Sequence, residues 1–265
     1  MDHWVTHAKN WHLIGPPLRP SEDCIRVFER IAKNCPASSD AHEALLLGIT
    51  PELASMTWPV GTRLRVVERC QAMLDMYHRG PWRRTTKTIE HLGDWRRMSR
   101  FAKGSQDLVI GDGCFTTLRE REYDTVLRQI HGVLRPGGVF AHRWFLRPST
   151  PDKSSSFRDS FHAFKLQLLM SLQKSFEQGV EVKQAYEWWS QRQLDIAAWP
   201  AEEVATIAAY AGSDALYTFP TEAELAAKLD KFFHLELCHV VEGYDLSERC
   251  PVIMCVRKDD DELQR

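Results

Sequence analysis

Four positions in this chain pair a residue type with a setting where chemistry can be done: Gly48, Glu68, Asp112 and His142. Gly48 follows an apolar run at once, and without a Cβ its backbone can be approached closely by a ligand. Glu68 ends a second apolar run, where a carboxylate can accept both hydroxyls of a sugar diol. Asp112 lies between Gly111 and Gly113, so it is either a base that orients a nucleophile or simply part of a turn. His142, with an ordinary pKa of about 6.5, is a candidate proton acceptor for a hydroxyl or amine, or else a histidine bonded to a neighbour at a strand edge.

The elements that must position these residues can be read from the apolar pattern. Ala44–Leu47 and Leu64–Val67 are continuous rather than alternating, as strands covered on both faces are. Between them Thr50-Pro51-Glu52 supplies an N-cap hydroxyl, a first-turn proline and a first-turn acid, predicting a short helix from Pro51 to about Met56. The unit is strand, turn, helix, strand. In an open α/β sheet the turn after the first strand and the end of the second face the ligand crevice, which suits a nucleoside with an exposed ribose diol.

Downstream come VVERCQAML, GDWRRM, QDLVIGDG and LRPGGVF. In this order and spacing they resemble the class I S-adenosylmethionine (SAM)-dependent methyltransferases, over about Glu43 to Trp144. The family's first loop usually has three glycines; this chain keeps Gly48 alone, followed by Ile49-Thr50-Pro51-Glu52, and looks like a subgroup with an LGxTPE loop. The resemblance implies a Rossmann-like, doubly wound, seven-stranded α/β sheet with an antiparallel last strand, and SAM as cofactor. It assigns Gly48, Thr50, Pro51 and Glu52 to the cofactor loop and Glu68 to the ribose. Arg69 and Met73 would wall the adenine, although Met73 reads first as a core residue. Gly93, Asp94 and Trp95 would meet the adenine edge, and Gly111, Asp112 and Gly113 the sulfonium. Trp11 and Arg19, in an N-terminal cover, would shield the cofactor and grip its carboxylate.

The remaining segments divide by pattern into a helical cover (1–37), a SAM-binding core (38–147 and 220–258) and a helical insertion (148–219). The cover carries a helix from Ser21 to Lys33. The core adds strands at Thr85–Ile89, Asp107–Ile110 and Val139–Ala141, a helix at Glu122–Leu134 and a stop at Arg135-Pro136-Gly137-Gly138. Ser154-Ser155-Ser156 opens the insertion, whose helices are expected at Phe161–Phe176, Val180–Leu194 and Ala201–Ala211. It is read as a substrate lid or a homodimer surface. A capped helix, Thr221–Asp230, precedes two strands, Phe232–Val241 and Val252–Arg257, that close the sheet as an antiparallel pair.

Bulk properties narrow the partners. The chain has 265 residues, 43% hydrophobic and 26% charged, with a net charge of -2. That balance argues against a nucleic-acid partner, which calls for a basic surplus. No stretch approaches the ~20 apolar residues of a membrane span, and the first residues lack a signal core, so a cytoplasmic protein is expected. Seven cysteines without a CxxC pair point to reduced, buried thiols and no metal site. The function expected is methyl transfer from SAM to a small, partly aromatic metabolite by in-line displacement. The alternative is a non-catalytic SAM-binding relative acting as a partner or regulatory subunit. An NAD-dependent oxidoreductase would need a GxGxxG fingerprint, which the sequence lacks.

Overall fold

The computed structural model describes residues 3–37, 41–150, 160–192 and 199–264. The chain opens with α1 (His3–Lys9), a 3-10 turn at Trp11–Leu13 and α2 (Glu22–Asn34). Ser21 caps α2 by accepting the amide of Cys24 at 3.2 Å. The core follows as β1 (Glu43–Leu47), α3 (Pro51–Ser55), β2 (Arg63–Glu68), α4 (Gln71–Arg79), β3 (Thr88–Leu92) and β4 (Gln106–Asp112). Next come α5 (Glu120–Val133) and β5 (Leu134–Arg143). The insertion holds α6 (Phe161–Leu172), β6 (Val180–Glu181), α7 (Val182–Ser190), α8 (Ala201–Ala205), a 3-10 turn at Thr206–Tyr210 and β7 (Leu216–Tyr217). The chain ends on α9 (Glu222–Leu229), β8 (Phe233–His239) and β9 (Val252–Arg257).

Seven strands form one sheet in the order β3-β2-β1-β4-β5-β9-β8, while β6 and β7 make a separate ribbon. The first five strands run parallel, and β9 pairs antiparallel with both β5 and β8. The chain winds outward from β1 in one direction to β2 and β3, then returns to the other side through β4 and β5. Such a reversal leaves a crevice beyond the carboxyl ends of β1 and β4.

Both faces of the sheet are covered, which is why its strands read as continuous apolar runs. Leu46 packs toward α2, α3 and α4, with Phe28, Leu53 and Leu74, whereas its neighbour Leu45 packs toward α5 and α9, with Leu127 and Leu225. Both leucines are 0% exposed, so alternation has nothing polar to show. Truncating either to Ala would cost ~2–5 kcal/mol. A third cluster, built on Phe161, Leu169, Val182 and Phe219, forms the core of the insertion.

The structure shifts several expected boundaries. The third strand lies at Thr88–Leu92 rather than Thr85–Ile89, because Thr85 and Thr86 donate their hydroxyls to the carbonyls of Met56 and Thr62 and so tie that stretch across the sheet's edge. β4 continues through Gly111 to Asp112, and β5 begins at Leu134, running through the expected Pro-Gly-Gly stop with a register shift opposite Gln106 and Leu108. In the insertion, Gln173 exchanges two hydrogen bonds of 2.8 Å with the backbone of Phe219, where α6 has already ended. Val180–Glu181 then pairs with Leu216–Tyr217 instead of starting a helix. Ala201–Ala211 divides into α8 and a 3-10 turn. Ser154-Ser155-Ser156 and Leu194 lie outside the described residues.

Candidate functional site

The crevice is organised by Glu68. Its Oε2 accepts the amide of Ile49, in the loop after β1, at 2.9 Å, and its Oε1 accepts the amide of Cys70 at 2.7 Å. Gly48, at the start of that loop, donates its amide to the Val67 carbonyl at 2.9 Å. Its φ of +74° is a left-handed conformation that favours glycine, and an added Cβ would stand 3.7 Å from Glu68 Oε2. Burial pushes the Glu68 carboxyl up, against the amides of Ile49, Cys70 and Arg69, which favour the ionised form. A carboxylate offers about four lone-pair sites, so the amides of Ile49, Cys70 and Arg69 leave capacity for an incoming hydroxyl.

Around this carboxylate the loop residues Gly48, Ile49 and Thr50 face Arg69, Met73 and Trp95. Asp112, Gly113 and Cys114, after β4, form the adjoining wall. The space between the surrounding atoms comes to about 930 Å³, open mouth included. Thr50 is the N-cap of α3, but its hydroxyl makes no capping hydrogen bond. Met73 is at once core and wall: 2% exposed, it packs in the first cluster and reaches the crevice.

Asp112 is not a lone base. Its Oδ1 accepts Arg143 Nε at 2.5 Å, and Arg143 is 0% exposed. Burial alone would discharge this guanidinium, but the Asp112 carboxylate outweighs that and holds it charged. A second Arg143 nitrogen donates to the Pro17 carbonyl at 2.7 Å, fastening the cover to the sheet, and the guanidinium lies 5.0 Å from the Phe145 ring.

Other expected site residues are employed elsewhere. Arg19 donates to Glu52 at 2.6 Å and to the carbonyls of Trp11 and Ile14 at 2.8 and 3.0 Å, between the indoles of Trp11 and Trp82. It lines a neighbouring groove instead of the crevice, so the expected grip on a cofactor carboxylate is replaced by a tether from cover to α3. Glu52 is thereby committed to Arg19, and Pro51 is buried under the loop in α3. Asp94 is bonded to Arg96 through both carboxylate oxygens; burial would raise its pKa, yet Arg96 holds it below the ordinary carboxylate range. Gly93 abuts Arg100, and of that trio only Trp95 reaches the crevice.

Gly111 and His142 also need correcting. Gly111 is a strand residue opposite His142, and an added Cβ would lie 2.8 Å from the His142 ring. The room beside this glycine is filled by imidazole, leaving none for a ligand. His142 is 0% exposed, packed 4.4 Å from Trp144 and 5.0 Å from Phe115, with Nε2 3.3 Å from Cys114 Sγ. Burial, with Arg143 beside it, drives its pKa well below the ordinary value, so it stays neutral behind the wall. It is a core histidine, out of reach of a proton on an acceptor.

The walls also contain residues that sequence reasoning did not assign. Trp4, His7, Ile14 and Leu18 reach in from the cover alongside the expected Trp11. Phe145, Tyr210 and Tyr217 reach in from the far side, beside Thr116 and Thr117. The aromatic surplus outside the sheet was the available signal for this; the individual positions depend on how the insertion folds back. Among the described residues no group of three or more His, Cys, Asp or Glu side chains is placed to hold a metal ion.

Comparison with known proteins places the fold. No protein-family model matches the chain, and no curated protein matches it. Solved structures do. A SAM-dependent methyltransferase of Methanosarcina mazei superposes with a TM-score of 0.52 at 17% identity, covering 86% of this chain and 96% of its own. The N-methyltransferase NodS of Bradyrhizobium japonicum, solved with S-adenosylhomocysteine, gives 0.54 at 12% identity, covering 97% and 100%. A Rhodobacter sphaeroides chain provisionally named a Zn-dependent alcohol dehydrogenase gives 0.60 at 12% identity, covering 96% and 99%. At these identities the likeness shows the fold: the Rossmann-like sheet of the class I methyltransferases, with its antiparallel last strand.

Proposed function

We propose that the crevice binds SAM and that the protein transfers the bound methyl group to a small-molecule acceptor. The observation that carries this reading is Glu68, a buried strand-end carboxylate with spare acceptor capacity beside a left-handed glycine on the crevice wall. Structures of the same fold that are SAM-dependent methyltransferases, one holding S-adenosylhomocysteine, support the choice of nucleoside.

When bound, SAM would supply an electrophilic methyl group on a sulfonium. Glu68 would accept a ribose hydroxyl, while Met73, Trp95 and Arg69 flank the adenine. Gly48 and Thr50 bound the space for the methionine part. Asp112, neutralised by Arg143, adds no net charge beside the sulfonium, and Trp4 and Trp11 exclude water from above. The protein's contribution is mainly to hold two reactants in attack geometry, worth up to ~7–11 kcal/mol in model reactions.

A small acceptor is proposed because Phe145, Tyr210 and Tyr217 line the same crevice as Glu68. A net charge of -2 gives no support to a nucleic-acid partner. No helix among the described residues is long and apolar enough to cross a membrane, and a cytoplasmic setting is proposed on cysteines that form no disulfide among the described residues. The insertion serves either as a substrate lid or as a surface for a second copy of the chain.

The test is formation of S-adenosylhomocysteine from SAM in the presence of a panel of small acceptors. One observation favours a second reading, a SAM-binding partner subunit without turnover: Ile49 and Thr50 stand where further glycines would leave more room. Binding without product across the whole panel would select that reading.

A further inference from the structure

The neighbouring groove lies on the outer side of Trp11, between two helices that also wall the crevice. α1 packs on α4. Trp4 and His7 of α1 and Met73 of α4 line the crevice, whereas Val5 and Ala8, with Ala72 and Met76, line the groove. Val5 and Ala8 are three residues apart and Ala72 and Met76 four, the spacing of a single helix face, so each helix serves both spaces. Trp11 is the residue common to the two walls. Between the surrounding atoms the groove measures about 1190 Å³, open mouth included, which is room for a small organic molecule.

Its lining is aromatic and aliphatic within and cationic at the edge. Trp82 packs against Gly80, where an added Cβ would stand 2.6 Å from the indole Cδ1, so a residue without a side chain lets this ring close the wall. Among the described residues lining the groove, Lys9, Arg19 and Arg79 are cations, Asp75 is the only acid and His12 the only imidazole. Arg19 is already balanced: it lies 5.2 and 5.5 Å from the ring centroids of Trp11 and Trp82 and is bonded to Glu52, which is not on this wall. Asp75 accepts Gln71 at 2.9 Å and lies 3.9 Å from Arg79, whose side chain is 83% exposed. Lys9 and Arg79 therefore outweigh Asp75, and the groove carries a positive surplus.

We propose that this groove is a second ligand site, that it takes an aromatic organic anion, and that its occupant clamps α1 against α4 and so strengthens binding in the crevice. The ligand's ring lies against the indoles. Its carboxylate or sulfonate receives charge-assisted hydrogen bonds from Lys9 and Arg79. A cation would meet like charge, and a neutral ring would forgo those bonds. A molecule touching both helices holds the cover, with Trp4 and Trp11, closed over the crevice, and the coupling is reciprocal by linkage. The site itself stands apart from the methyl-transfer reading; the coupling rests on it.

The experiment titrates the full chain with 1-anilinonaphthalene-8-sulfonate, whose fluorescence rises in apolar surroundings. One saturable site per chain is expected. N-phenyl-1-naphthylamine, the same body without the sulfonate, should bind at least about tenfold more weakly, and the double variant Lys9→Glu, Arg79→Glu should lose about as much affinity for the sulfonate. Both side chains are exposed, so the variant keeps its fold. Saturation with S-adenosylhomocysteine should leave the probe bound and tighten it by about fivefold, with the probe tightening S-adenosylhomocysteine by the same factor. Equal affinity for the neutral analogue, or an unchanged affinity in the double variant, overturns the anion site. Displacement of the probe by S-adenosylhomocysteine places it in the crevice and overturns the groove. Affinities independent of each other overturn the clamp. If S-adenosylhomocysteine does not bind at all, the functional reading and the clamp fail together, while a saturable probe lost on charge reversal still upholds the anion site.

Discussion

The Glu68 carboxylate accepts the Ile49 amide at 2.9 Å, so the end of β2 is stitched to the loop that follows β1. One group thus shapes the glycine-poor loop and presents the acceptor atoms of the crevice. Structure and binding are coupled at a single side chain, and Glu68→Ala should affect both. Charge-assisted hydrogen bonds are worth ~1.5–3 kcal/mol each, so S-adenosylhomocysteine affinity should fall at least about tenfold. Calorimetry measures this, and an unchanged affinity removes the ribose assignment.

At Gly48 the strain is conformational, because an added Cβ at 3.7 Å from Glu68 Oε2 has ordinary van der Waals room while φ is +74°. Gly48→Ala should therefore cost roughly 1–2 kcal/mol of stability. Gly48→Val should cost more, since a branched side chain fits the left-handed region worst. Urea denaturation of the two variants gives the order; equal stability of wild type and valine variant would contradict the loop geometry.

Asp112→Asn tests the buried ion pair. Arg143 would keep its charge at 0% exposure with no carboxylate beside it, and breaking such a pair costs ~3–5 kcal/mol. The variant should unfold at markedly lower denaturant concentration. A loss within experimental error would mean that the guanidinium is balanced elsewhere.

A pH dependence of stability follows from two buried bases in the insertion. Burial lowers Lys165 to about 7 and His162 to about 4 in the folded state, from ordinary values of 10.5 and 6.5. Both folded values lie below the unfolded ones, so within each window the unfolded chain binds more protons and stability rises with pH. Stability should climb between about pH 7 and 10.5 through Lys165, and fall as pH drops from 6.5 toward 4 through His162. Each single-proton slope is bounded by ~1.4 kcal/mol per pH unit. Lys165 Nζ also donates to Thr206 Oγ1 at 2.6 Å. Lys165→Met should abolish the alkaline part of the slope; its persistence in denaturation curves would exclude Lys165 as the cause.

His142→Asn should leave S-adenosylhomocysteine affinity and any turnover within about twofold, since the imidazole lies behind the wall and makes no contact with the crevice space. A large loss of turnover with binding intact would restore it as a participant.

Local pattern carried much of this fold. The continuous runs around Leu46 and Val66, the helix start at Pro51, the Thr221 and Glu224 capping box and the closing antiparallel pair each follow from neighbours in sequence. The positions of Glu68 and Gly48 on the crevice wall were legible because both stand at strand ends. His142 misled for the same reason in reverse: β5 extends to Arg143, so an apparent strand end is strand interior. Asp94 and Arg19 misled because a charged residue reads the same whether it faces a ligand or a salt-bridge partner. His7, Tyr210 and Tyr217 meet only after α1 and the insertion fold onto the sheet, a long-range event with no local signature.

The account depends on the crevice being a SAM site, and titration of the full chain with S-adenosylhomocysteine tests that most directly. Calorimetry should show one site per chain, saturable at micromolar to submillimolar concentrations and competed by SAM. No heat and no thermal stabilisation by either compound at millimolar concentration would contradict it.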